Sequence, residues 1–128
     1  MENKKVQGKG EWDYDNEYDI LIVKMQDRDY AYSIEMEDSD LTLEIDKKGL
    51  ITGICIFDAA EFLKMEKEAL KNIKHAELSV KKEGKMVMIR IVLRTELANK
   101  EKMRYVQDFS REIKERGNAE PYQAMCTI

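Results

Sequence analysis

Residues 58–75 read DAAEFLKMEKEALKNIKH. Phe62, Leu63, Glu66, Ala69, Leu70 and Ile73 fall at helical spacing, so side chains three or four apart share one side. Asp58 precedes Glu61 by three positions, the arrangement of a capping box with Asp as N-cap. The spacing predicts a helix, or two short ones, over about 59–74. His75, the single histidine, follows it, where a cation suits the C-terminal end of a helix.

Strand patterns surround this stretch. Upstream, Ile20-Leu21-Ile22-Val23 is a β-branched run that is apolar on both faces, the pattern of a central strand. Tyr30, Tyr32, Ile34 and Met36 alternate with Ala31, Ser33 and Glu35, and Leu41, Leu43 and Ile45 alternate with Thr42, Glu44 and Asp46. Period two gives each strand one wet face. Asp46-Lys47-Lys48-Gly49 reads as a turn, with Gly49 free to take positive φ, and residues 50–57 return as a strand. Trp12 and Tyr14 open a further short strand, and the polar residues 1–10, with Gly8 and Gly10, read as a loose terminus.

Downstream, Ala76, Leu78 and Val80 alternate with Glu77, Ser79 and Lys81, and Glu83-Gly84 turns the chain. Residues 86–93 are apolar on both faces except for Arg90, so this strand is expected to need cover on both sides. Residues 102–113 read two ways: Met103, Val106, Phe109 and Ile113 suit a helix, Met103 and Tyr105 a strand, and strand is slightly preferred. Arg116-Gly117-Asn118 with Pro121 reads as a loop, after which Tyr122, Ala124, Cys126 and Ile128 alternate as a last strand.

The expected fold is therefore α+β, mainly an antiparallel sheet of about seven strands, with a central helix at about 59–74 packed on one face. At 128 residues the chain fits one domain, 1–128. Hydrophobic residues make up 43% and charged residues 38%, which separates the chain from disordered sequences. No apolar run approaches the roughly 20 residues of a membrane helix. The opening residues lack an apolar signal-peptide core. These features lead to the expectation of a soluble cytoplasmic protein with no membrane association.

The net charge of −4 argues against a nucleic-acid partner. Its distribution is uneven: residues 11–46 carry 13 acids and 2 bases, residues 47–128 carry 17 bases and 12 acids. Such an acidic stretch is either a surface for a basic protein or a half neutralised within the fold. Cys55 and Cys126, the two cysteines, sit in apolar runs and read as small buried hydrophobes rather than a disulfide framework.

Tyr14-Asp15, Asp19 with Leu21-Ile22, Asp46, Gly49, Gly53-Ile54-Cys55-Ile56 and Asp58-Ala59-Ala60 occur in the order and spacing of a known pattern. Over about 12–62 the chain resembles the YuzE-like family of unknown function (DUF2283). Residues 63–128 form an extension in the same fold, of which 70–93 look like longer archaeal members. The resemblance implies an antiparallel sheet with a helix and no known reaction. For some members it suggests an antitoxin-like or partner-binding role. Two positions depart from the pattern: Cys55 stands where the family often has an acid, and Ala60 where it often has Ser.

No catalytic constellation emerges. With a single His and no Gly-x-Ser-x-Gly elbow there is no basis for a serine triad. Gly8-Lys9-Gly10 is not a phosphate loop, and the Cys and His spacing does not suit zinc. No cofactor is expected. Asp13, Asp15 and Asp19 are the candidate ligands of a divalent metal, although an EF-hand is rejected because its sixth and twelfth positions hold Tyr18 and Lys24. Tyr30, Tyr32, Met86 and Met88 are the candidate interface residues, since their strands need more cover than one helix gives. The functional expectation is a non-enzymatic interaction module, a homodimer or the partner of a basic protein. The alternative is a small-ligand or metal-binding protein built on the acidic segment 13–19.

Overall fold

The structure, a computed structural model, describes residues 4–36, 40–113 and 122–127. Strands β1 (Lys4–Asp15), β2 (Ile20–Met25), β3 (Tyr30–Glu35), β4 (Leu41–Asp46) and β5 (Ile51–Phe57) come first. Two short helices follow, α1 (Ala59–Leu63) and α2 (Lys67–Leu70). Strands β6 (Ile73–Glu83), β7 (Met86–Glu96), β8 (Lys102–Glu112) and β9 (Tyr122–Thr127) complete the chain. All nine strands belong to one sheet in the order β3-β4-β5-β2-β1-β9-β6-β7-β8.

This overturns the expected α+β architecture. Among the described residues 66% are strand and 8% helical, the nine strands curl into a half-barrel, and no central helix packs on the sheet. The helical spacing of 58–75 is real, but the helix stops after Leu63. Lys64 takes φ 55, and the N–H groups of Lys64 and Met65 bond back to the carbonyls of Glu61 and Ala60. That is a Schellman stop with Lys in the left-handed position usually held by Gly. Leu63, Met65, Ala69, Leu70 and Ile73 are all buried in the core, on the two helices, the turns beside them and the start of β6.

β1 joins the two halves of the sheet. Its first part, Lys4 to Lys9, pairs in parallel with β9, and its second, Gly10 to Asp15, pairs antiparallel with β2. The stretch 4–10, expected as a loose terminus, is thus ordered strand. The terminal strand was expected, but not its insertion between β1 and β6. Residues 102–112 resolve as strand, in an eleven-pair ladder with β7. The expected loop at 116–121 lies outside the described residues.

The concave face holds the core. Leu21, Val23, Leu41, Leu43, Ile54, Ile56, Leu78, Val80, Ile91 and Leu93 are buried there, alternating with outward residues on each strand. Burial of each such side chain contributes about 1.5–3 kcal/mol before entropy is counted. Edge to face, Phe62 of α1 meets Phe109 of β8 at 5.4 Å, and Gln107 donates its side-chain N–H to the Leu63 carbonyl. The second cover expected for residues 86–93 is unnecessary at Val92. That side chain faces outward beside Glu77 and Val106, yet is only 3% exposed. Among the described residues no helix is long and apolar enough to cross a membrane.

Candidate functional site

The acidic segment 13–19 forms the β1–β2 turn, and its three candidate ligands have separate tasks. Asp13 is exposed on the outer face, opposite Ile22. Asp15 accepts the N–H groups of Glu17 (2.9 Å) and Tyr18 (3.1 Å), which closes the turn. Asp19 takes φ 55 and accepts the Tyr14 hydroxyl at 2.6 Å. Its backbone carbonyl receives the Ala59 N–H, and its carboxylate receives the Ala60 N–H at 3.2 Å. Burial, then the bond to Asp19, then the charges of Asp19 and Asp15 push the Tyr14 hydroxyl well above its ordinary value, so it stays a donor. Among the described residues no three His, Cys, Asp or Glu side chains are placed to hold a metal ion.

The cap of α1 therefore comes from Asp19. Asp58 occupies the N-cap position, but at φ 49 its side chain makes no capping bond. His75 lies inside β6, where its Nε2 is 3.0 Å from Glu77 Oε1, rather than at a helix end.

The β4–β5 turn is built on a buried carboxylate. Asp46, 3% exposed, accepts the N–H groups of Lys48 and Leu50, both at 2.9 Å. Gly49 takes φ 81, as its place in the turn requires. Arg28, from the β2–β3 connection, approaches Asp46 at 3.8 Å. Gly53 allows β2 and β4 to close over β5: a Cβ there would lie 2.7 Å from Lys24 Cβ and 2.9 Å from Glu44 Oε2. Cys55 is a free, half-buried thiol on β5, and burial, followed by the charge of Glu44, raises its pKa.

The candidate interface residues fall towards opposite ends of the sheet. β3 and β8 are its two edge strands. Tyr30 (58% exposed) and Tyr32 (41% exposed) lie on β3, where Ile34 alone is partly covered by the core. Beside Tyr30 is a shallow hollow of about 260 Å³, whose lining includes Glu11, Asp27 and Glu44 together with Lys24 and Arg28. Met86 and Met88 lie on the outer face of β7, opposite Glu112 and Ser110 of β8. The structure does not bring these pairs together.

The sequence reading did not find the Arg90–Asp108 pair. Arg90 donates two hydrogen bonds to the Asp108 carboxylate, at 2.7 and 3.1 Å. These bonds lift the guanidinium pKa and hold the carboxyl below its ordinary value. Once 102–112 is taken as a strand, a hairpin centred on Asn99 sets these two residues opposite each other.

Residues 12–59 match the family model DUF2283, a protein of unknown function. No curated protein and no solved structure matches the chain. The matched segment runs from the antiparallel half of β1 to the start of α1. Among the residues that carry the resemblance, Tyr14, Asp15, Asp19, Asp46, Gly49 and Ala59 brace turns or the start of α1, and Gly53 allows close approach.

Proposed function

We propose that this chain is a non-enzymatic, cytoplasmic protein-interaction module that recognises a basic protein through its β3 edge. The observation that carries this reading is the acidic, exposed edge of the half-barrel. All of β3 except Ile34 is exposed, two tyrosines stand on it, and Asp27, Asp29 and Glu35 flank or belong to it. An open strand edge offers backbone hydrogen bonds to an incoming strand, while neighbouring carboxylates select basic partners and speed their approach. The polar groups of the acidic turn support the same reading, since they brace the fold. The sharper form is an antitoxin-like role, in which the partner is a small basic toxin; it rests on the YuzE-like resemblance alone. A metal-dependent reading would recruit Asp15 and Asp19, whose carboxylates already accept backbone N–H groups. A rise in melting temperature with a divalent cation would favour it.

The test is affinity capture from native cells with the wild-type chain and a Tyr30→Ser/Tyr32→Ser variant. The reading predicts a basic protein held in stoichiometric amount by the wild type and lost by the variant. Equal retention by both, or recovery of the bait alone, contradicts it.

A further inference from the structure

We infer that β8 is a self-pairing edge: two copies of the chain join antiparallel along Lys102–Ser110, about a two-fold axis at Val106. The inference rests on the reading of the chain as an interaction module and assigns its second edge to a second copy. β8 is the last strand in the sheet order, and its far side has no strand partner among the described residues. Eleven residues at about 3.3 Å each make an edge roughly 36 Å long, nearly twice a typical strand. Its ladder with β7 runs without a register shift, whereas the β3–β4, β4–β5 and β6–β7 ladders each contain one. A long, regular edge is a template for another strand.

The pattern of side chains selects the partner. In an antiparallel pair centred on Val106, residue numbers opposite each other sum to a constant. Arg104 then faces Asp108 of the second copy, twice by symmetry. Met103 faces Phe109, Tyr105 faces Gln107, Lys102 faces Ser110, and Val106 faces itself. No like charges meet. Met103 and Val106, exposed by 38% and 37%, gain cover.

A second observation points the same way. On the outer face Arg104 lies directly opposite Arg94 of β7, and neither forms an ion pair among the described residues. Like charges placed opposite on adjacent strands repel. The second copy's Asp108 supplies the missing countercharge. Asp108 is more than half exposed even while it holds Arg90, so its carboxylate is open to a second guanidinium.

The experiment is sedimentation over a micromolar-to-millimolar concentration series with the full chain, Arg104→Asp, Asp108→Lys, and the two variants mixed in equal amounts. Circular dichroism checks that each is folded; both positions are exposed, and Arg104→Asp relieves the repulsion with Arg94. The wild type is expected to dimerise, and each variant alone to associate at least about tenfold more weakly, because like charges then face each other twice. The mixture is expected to recover wild-type association, since both pairs become unlike again in the heterodimer. A monomeric wild type overturns the inference, as does a dimer indifferent to either variant. Two weakened variants that fail to recover on mixing overturn the Val106 register. A monomer that still captures a basic protein through β3 sinks this inference and leaves the interaction reading standing, whereas a dimer that captures none does the reverse.

Discussion

Asp19 caps a helix that begins forty residues after it: its carboxylate accepts the Ala60 N–H at 3.2 Å, and its backbone carbonyl accepts that of Ala59. The same carboxylate accepts the Tyr14 hydroxyl at 2.6 Å. One residue therefore ties the β1–β2 turn to the start of α1. Asp19→Ala leaves two donors without their acceptor and is expected to cost about 1–3 kcal/mol. Asp19→Asn keeps an acceptor and tolerates the positive φ, so it recovers part of that loss. Urea denaturation of the three proteins measures both. An alanine variant as stable as the wild type removes Asp19 from this role.

Tyr14 makes the fold sensitive to alkali. Its hydroxyl pKa is raised in the folded state, chiefly by burial and then by Asp19. The unfolded chain therefore releases this proton first as the pH climbs past the ordinary tyrosine value near 10. In that range the folded state binds more protons, so stability is full below it and declines as pH rises towards the folded value. Tyr14→Phe is expected to be less stable at neutral pH but to lose less stability above pH 10. Parallel pH–stability curves for the two proteins would remove this contribution.

Thr95 is 2% exposed, and its hydroxyl has no hydrogen-bond partner among the described residues. It lies in β7, opposite Met103 and beside Ile73. Thr95→Val keeps the shape and the β-branch and removes an unsatisfied polar atom. A gain of about 1 kcal/mol is expected in chemical denaturation. A loss of similar size would mean that the hydroxyl is satisfied.

Burial and the nearby Glu44 raise the Cys55 thiol pKa, so little thiolate is present at neutral pH. Alkylation of Cys55, followed by peptide mass spectrometry, is expected to be slow in the native protein and fast in urea. Glu44→Gln is expected to speed the native reaction modestly. Native labelling as fast as in urea would contradict this account.

Parts of this fold are legible in the sequence because they are local. The turn at 46–49 follows from Asp46 and Gly49, strand β4 from its period-two alternation, and strands β2 and β5 from their apolar, β-branched runs. The helix boundary was hidden because the stop is Lys64 in a left-handed conformation, where no Gly gives warning. β8 was ambiguous because an edge strand is half exposed on both faces, and Met103, Val106 and Phe109 then match a helical period as well as strand positions. The parallel pairing of β1 with β9 joins residues more than a hundred positions apart and leaves no local trace. For the candidate site, the acidic segment was visible as charge. Its structural use was not, because the partners of Asp19 include Ala60, on a different element.

The central claim is that the module works through its open sheet edges, and amide hydrogen exchange of the complete chain, with and without the captured basic partner, tests it most directly. The account predicts added protection in residues 30–35, with the β1–β2 turn and the two short helices unchanged. Protection gained at the turn or the helices while β3 exchanges as before would contradict it.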